Sequence, residues 1–410
     1  MDKPSDQPRP EVDALDPAAR TRAQLEVIRR AFKGEVGIAG GDGDAENDVA
    51  FLYRREHILV RDEDIDRVQA ALGGPDQAPI VDGLVHGVSR LGLPPGRDVP
   101  EVLDELDAAV GVGVATPDHL MWVVPGSLCP ATEPEEPGTK ASHPSVTWAS
   151  GNGHGVLVSV VDTGWHPPAA TDPLTPWLAG VTGDVEVIDP TNIHPYAGHG
   201  TFIAGVVRCE APAAEVRVEG FFPVAGAAFE SDMVVQLCQA LELGPDIISL
   251  SAGTTTRANR PTLSLEVFHQ NFLSKVKGTV LVAAAGNDAT RAPFWPAAFP
   301  WAISVGAIDA SGQRAWFSNF GSWVDVYALG VDLVNAFPHG DFTCVEPPHV
   351  GETRHFEGLC RWSGTSFSTP VVAGRIAARM SQTGLSARRA ADQLLAQARA
   401  GAVPGVGPCL

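Results

Sequence analysis

Six residues, Val156 to Val161, five of them apolar and mostly β-branched, run without a break into an acid in Val160-Val161-Asp162-Thr163-Gly164. A run this short and continuous fits a strand covered on both faces; a half-exposed strand would alternate, and a helix needs more length. Similar runs recur at Ile247 to Leu250 and Thr279 to Ala284. Between them lie helical spacings: Val234, Leu237, Cys238 and Leu241 after a Ser231 cap, ended by Gly244-Pro245, and the segment Ser264 to Val276. Alternation of this kind predicts an α/β domain over residues 145–400, doubly wound on a mostly parallel sheet. Chemistry is then expected where loops leave the carboxyl ends of the strands.

Upstream the pattern differs. Residues 1–48 divide into a Pro- and acid-rich arm, a helix starting at Leu15-Asp16-Pro17 and reaching about Phe32, and a Gly/Asp linker. Residues 49–125 give strand signals at Ile58-Leu59-Val60, Leu84 to Leu91 and Asp118 to Val124, with helices capped by Asp62 and by Asp98 with Glu101. That order predicts a small α+β domain of ferredoxin-like type with one expected strand not separately visible. A Pro/Glu-rich connector spans 126–144, and 401–410 form a tail.

A net charge of −20, spread along the chain, lacks the footprint of a nucleic-acid binder. No apolar stretch reaches the ~18–20 residues of a membrane span, and the first 30 residues lack the basic start and apolar run of an export signal. These features point to a cytoplasmic protein, with secretion by an unrecognised route as the alternative. None of the six cysteines stands at zinc or redox spacing. Cys344 and Cys360 bracket one loop and are expected as free thiols in a reducing compartment. No cofactor or metal is indicated. The His and acidic residues of 338–361, an apparent insertion, could seat a metal, but a solvated loop is the simpler reading.

Three polar residues stand where they would be costly without a role. Asp162 ends its strand; His199 lies in Gly198-His199-Gly200-Thr201 before an apolar helical run; Ser366 lies in Ser363-Gly364-Thr365-Ser366, at the start of a helix with Pro370 in its first turn. Singly each reads as a cap or turn residue. Jointly Ser, His and Asp are the parts of an activated nucleophile, and Asn287, ending Val282 to Gly286, could donate to an oxyanion.

With Ala204-Gly205, Ser249-Leu250-Ser251-Ala252-Gly253, Ser304-Val305-Gly306-Ala307, Phe317 to Gly321 and Thr369-Pro370, these blocks closely resemble the subtilisin-like serine peptidases, in the family's order over roughly residues 150–380. A sister family with glutamate-based catalysis shares the Ser-Gly-Thr-Ser block but lacks the histidine block. The resemblance implies Ser366 as nucleophile, His199 as general base and acid, Asp162 as its orienting partner, and Asn287 with the Ser366 N–H as oxyanion hole. It further implies Ser249, Leu250, Ser251, Ala252 and Gly253 as the strand pairing with a protein or peptide substrate, and Gly286 as a wall of the primary specificity pocket. Ala252, Ala328-Leu329-Gly330 and Phe367-Ser368 depart from the usual residues without removing a catalytic group.

Thr116 to Val123 is similar to the closing strand of subtilisin-type propeptides. The domain at 49–125 is therefore expected to act as an intramolecular inhibitor, the alternative being a permanent accessory domain. For the whole chain the competing reading is a catalytically quiet peptide-binding relative. An α/β-hydrolase is excluded by the absence of Gly-x-Ser-x-Gly around Ser366.

Overall fold

A computed structural model describes residues 17–40, 49–123, 132–138, 151–222 and 225–410. The Leu15-Asp16 cap, the linker over 41–48 and Cys129 lie outside these.

The first unit grows around one long strand, β2 (Val49–Arg61), whose apolar triplets Phe51-Leu52-Tyr53 and Ile58-Leu59-Val60 are all buried. Around it come α1 (Pro17–Phe32), β1 (Val36–Gly40), α2 (Ile65–Ala71), β3 (Ile80–Val85), β4 (Val88–Gly92), α3 (Val99–Val110) and β5 (Ala115–Trp122). The strands pair antiparallel in the order β3-β4-β2-β5, the arrangement of a ferredoxin-like fold. The strand missing from the sequence reading is here. The run read as a single strand, Leu84 to Leu91, is split by a turn at His86-Gly87, and the preceding β3 exposes Ile80 and Val81, so no buried apolar run betrays it. Asp98 does cap α3, accepting from the Glu101 N–H at 3.3 Å. Asp62 does not cap; its carboxylate accepts from Gly87 N–H (2.8 Å) and Ser89 Oγ (2.7 Å), tying β2 to the β3–β4 turn.

The second unit runs β6 (Leu157–Asp162), β7 (Thr182–Gly183), α4 (His199–Glu210), β8 (Glu215–Gly220), β9 (Ala227–Phe229), α5 (Glu230–Glu242), β10 (Ile247–Leu250), α6 (Leu263–Asn271), β11 (Val280–Ala284), β12 (Ile303–Ile308) and β13 (Val326–Leu329). It then continues through β14 (Leu333–Ala336), β15 (Gly340–Thr343), β16 (Thr353–Phe356), β17 (Leu359–Trp362), α7 (Thr365–Thr383) and α8 (Ala387–Ala400). Seven strands form one parallel sheet ordered β13-β12-β11-β10-β6-β8-β7. Helices α4, α7 and α8 fill one face and α5 and α6 the other, each over a separate apolar cluster, which is the doubly wound α/β class expected. Among the described residues no helix is long and apolar enough to cross a membrane.

Two local readings need correction. Ser231 lies inside the first turn of α5 rather than capping it; its N–H (2.9 Å) and Oγ (2.7 Å) both donate to Asp118 of β5. Residues 338–361 are not a solvated loop. They form the hairpin β15–β16 and most of β17, which pairs with β14, and they bury Phe342, Cys344, Phe356 and Cys360 in the main core. Cys344 and Cys360 are buried free thiols. Of the connector, residues 132–138 run beside β17: Glu135 and Arg361 exchange backbone hydrogen bonds of 2.9 and 2.7 Å, and Glu133 Oε1 accepts from Val345 N–H at 2.7 Å.

Candidate active site

The β6 run ends at Asp162 because its last residue emerges at the carboxyl edge of the sheet, where the chain turns through Thr163-Gly164. Asp162 Oδ1 accepts from its neighbour Thr163 N–H and from His199 Nδ1, both at 2.8 Å, and both carboxylate and imidazole are fully buried. A carboxylate on Nδ1 fixes the ring tautomer and leaves Nε2 as the basic nitrogen. Trp362 stands edge-on to the imidazole at 5.5 Å and Phe367 tilts against it at 5.3 Å. The departure at Phe367 thus supplies ring packing that holds His199 from the side of Ser366.

His199 opens α4 from a left-handed residue, Gly198 (φ 80°), where a Cβ would also strike Phe337 and Pro338. Sequence reasoning missed two side chains that secure this turn. Glu186 Oε2 accepts the Gly198 N–H at 2.9 Å, and Thr163 Oγ1 accepts the Gly200 N–H at 3.1 Å. The Thr163 hydroxyl in turn donates to Glu186. Burial pushes the Glu186 carboxyl up to about 8; the Gly198 N–H opposes this, while the neighbouring Asp162 charge adds to it. No local pattern marks Glu186, which reaches the site from a loop beside Trp165.

Ser366 sits in the first turn of α7. Its carbonyl would ordinarily accept from the residue four positions on, but that residue is Pro370, which has no N–H; Ser251 Oγ donates to it instead, at 2.8 Å. Asn287 Oδ1 accepts the Thr365 N–H at 2.8 Å, which ties the amide to the start of α7. Gly286 N–H donates to Thr365 Oγ1 at 3.2 Å. Asp162, His199, Asn287 and Ser366 are thus brought to one edge of the sheet from four separate parts of the chain.

Of the five residues expected along a substrate, only Gly253 makes such a pairing. Ser249 and Leu250 lie within β10, flanked on both sides by β6 and β11, so their backbones are committed to the sheet. Ser251 supports Ser366, and Ala252 is buried.

The pairing partner of Gly253 belongs to the first unit. Strand β5 lies antiparallel to β9, with Leu120 opposite Phe229 and Trp122 opposite Ala227. On its other side Trp122 and Gly253 exchange hydrogen bonds of 3.1 and 3.0 Å, and Thr254 Oγ1 donates to Leu120 C=O at 2.8 Å. Val123 N–H donates to Gly226 C=O at 2.8 Å, and the Val123 carbonyl accepts from Ser366 Oγ at 3.2 Å. The Ser366 hydroxyl is therefore bonded to the strand, and His199 Nε2 has no hydrogen-bond partner among the described residues.

The same strand carries polar side chains into the junction. Asp118 is held by Ser231 and lies 3.2 Å from Arg54 Nε, and burial raises its carboxyl to about 6. His119 Nδ1 meets Glu230 Oε2 at 2.8 Å, while Glu230 Oε1 accepts from Ser264 N–H and Oγ at 2.9 Å each. Among the described residues no three His, Cys, Asp or Glu side chains converge as a metal-binding group.

Comparison with known proteins agrees with this arrangement. The model of the Subtilase family matches residues 153–406, more than half of the chain. A thermophilic serine proteinase of Bacillus sp. (strain AK1) is 30% identical over 257 residues, which cover 58% of this chain and 56% of that protein. Thermitase of Thermoactinomyces vulgaris is 30% identical over 258 residues, 58% of this chain and 80% of the relative. The chain thus spans little more than half of the first relative's length. In fold it is similar to fervidolysin from Fervidobacterium pennivorans, with a TM-score of 0.58 at 18% identity over 89% of this chain and 59% of that one. With the family's extent matched and the fold in agreement, the chain belongs to the subtilase family.

Proposed function

We propose that the protein is a serine endopeptidase whose own first unit fills and inhibits its cleft. The supporting observation is the path of β5: an extended strand lies between β9 and Gly253 and brings a main-chain carbonyl onto the Ser366 hydroxyl. Such a strand stands where an extended substrate would lie, since main-chain pairing recognises any extended polypeptide.

When the strand withdraws, the Ser366 hydroxyl loses the Val123 carbonyl and turns its proton toward His199 Nε2. Nε2 takes that proton as Oγ attacks the peptide carbonyl, and Asp162 stabilises the imidazolium through Nδ1. The oxyanion that forms is met by the Ser366 N–H at the start of α7 and by the Asn287 amide. The imidazolium then protonates the leaving amine, and water repeats the sequence on the acyl-enzyme. Burial of the Asp162–His199 pair favours this step, because a charge pair out of water needs no solvent reorganisation.

A quiet peptide-binding relative would keep the strand pairing without the chemistry. Fluorophosphonate labelling separates the two readings. We expect Ser366 to be modified in the wild-type chain and left unmodified in His199→Ala, and the wild-type chain alone to shed an amino-terminal fragment when compared with Ser366→Ala by intact mass. Absence of labelling in any preparation, including one freed of residues 1–140, would refute the peptidase assignment. Identical intact masses would remove the self-processing part.

A further inference from the structure

Gly286, expected as a wall of the primary pocket, and Gly253, which pairs with β5, both face one aromatic ring. A Cβ placed on Gly253 would lie 2.3 Å from Phe294 Cε1, 2.6 Å from the Trp295 carbonyl oxygen and 2.7 Å from Phe294 Cζ; one placed on Gly286 would lie 2.5 Å from Asn319 Nδ2 and 3.1 Å from Phe294 Cγ and Cδ1. The ring therefore reaches from one wall to the other, its Cγ end against Gly286 and its Cζ end against Gly253. It fits because neither wall has a side chain.

Phe294 is 1% exposed, yet it joins neither of the apolar clusters that fill the two faces of the sheet. Its edges lie beside the Gly253 and Gly286 backbone. The backbone on either side holds it there: Trp295 N–H donates to Thr254 C=O at 3.0 Å, Thr254 N–H donates back at 2.8 Å, and Ala298 N–H donates to Phe294 C=O at 2.8 Å. Thr254 directly follows Gly253, so the strand that pairs with β5 and the segment that carries the ring are bonded to each other. These bonds fix the backbone that carries Phe294, and a swing of the ring out of its place would strip a buried aromatic of its packing.

We propose that Phe294 is the floor of the primary specificity pocket and restricts this chain to substrates with a small side chain, of about alanine size, on the residue whose carbonyl is attacked. The inference rests on the peptidase reading above and names its substrate class. A methyl group enters the space the ring leaves; a leucine or phenylalanine side chain must displace the ring. Pockets that differ by a few methylenes discriminate by roughly 10- to 200-fold, so a pocket filled by a whole ring is expected to disfavour aromatic residues by about 100-fold or more.

The test uses the full-length chain and two peptidyl diphenyl phosphonates that differ only in the residue next to phosphorus, alanine-like or phenylalanine-like. The ratio of their rates of Ser366 modification is read by mass spectrometry. Because both probes need the same cleft to open, the fraction of open chain cancels. Wild type should favour the alanine probe by about 100-fold or more. Phe294→Gly should bring the ratio near or below one, and Phe294→Leu should fall between; thermal melting checks that each variant is folded, and the leucine variant keeps the test decisive if the glycine variant is not. Wild-type modification by the phenylalanine probe at an equal or greater rate would overturn the proposal, as would a ratio unchanged in a folded variant. A chain that reacts with neither phosphonate nor fluorophosphonate fails as a peptidase; one that reacts with fluorophosphonate but prefers the aromatic probe fails only here.

Discussion

Met121→Ala is a direct probe of inhibition by the first unit. Met121 is fully buried, and apart from Val123 of the same segment the buried members of its apolar cluster are second-unit residues, among them Phe222, Val234, Leu237, Leu250 and Trp295, with Leu84 and Val85 of β3 at its margin. The side chain therefore contributes to docking far more than to the first unit's own core, which is built from Val60, Val68, Leu91, Leu103 and their neighbours. Truncating a buried methionine to alanine costs about 2–5 kcal/mol, the spread reflecting how far the site collapses. Charged to docking, that loss raises the open fraction by roughly 30-fold to a few thousandfold, at about 1.4 kcal/mol per tenfold. The rate at which fluorophosphonate modifies Ser366 in the full-length chain should rise by the same factor until the open form predominates. A rate within about twofold of wild type, in a variant whose melting temperature has fallen as that cavity predicts, would refute the reasoning: β5 would then be an architectural strand whose position does not control access to Ser366.

Two further outcomes follow from buried carboxyls. Asp118 titrates near 6 in the folded chain against 3.8 ordinarily, chiefly through burial, with the Glu230 carboxylate adding to the rise and Arg54 and Ser231 opposing it. A raised carboxyl favours the folded state while protonated, so this contribution is fully present below about pH 4 and is lost as pH climbs through about 6, on the order of 3 kcal/mol in all. Melting temperature followed from pH 4 to 7 should show that decline in wild type and a flatter profile in Asp118→Asn; parallel profiles would rule it out. Glu186→Ala, which deprives the Gly198 N–H of its acceptor, should lower turnover about 10- to 100-fold with little change in KM, as the proposed role of His199 as general base requires when the ring is displaced, while Glu186→Gln retains an acceptor and most of the rate. Equal loss in both variants would show that the carbonyl oxygen is not what matters.

How much of this was visible in the sequence depended on whether a residue's role is written in its neighbours. The β6, β10 and β11 runs were legible because strands buried on both faces leave unbroken apolar stretches, and Asp162, Asn287 and His199 could be singled out because each stands at or near a strand end or a helix start. In the first unit, β3 was hidden by its exposed Ile80 and Val81, and β2 was read as three residues rather than thirteen because the polar stretch Arg54 to His57 interrupts its two buried triplets. The segment 338–361 looked solvated from its histidines and acids, of which His339, His349, Glu352 and His355 lie outward while Glu346 is buried, on a frame whose Phe342 and Phe356 point into the core.

Glu186 and Phe294 were not legible for a different reason. Neither carries a local signal: one is an acid between two exposed loop valines, the other an aromatic among prolines and alanines. Their significance comes from what a distant part of the chain lacks. Gly198 needs an acceptor for an N–H that its left-handed turn presents inward, and Gly253 and Gly286 leave between them a space that only a side chain from elsewhere can fill. A glycine in a sequence announces that something approaches closely without naming it. In the cleft that something is a neighbour's ring as well as a substrate's backbone, so the residues that set specificity are best sought by asking, for each wall glycine, which atom occupies the position its Cβ would have taken.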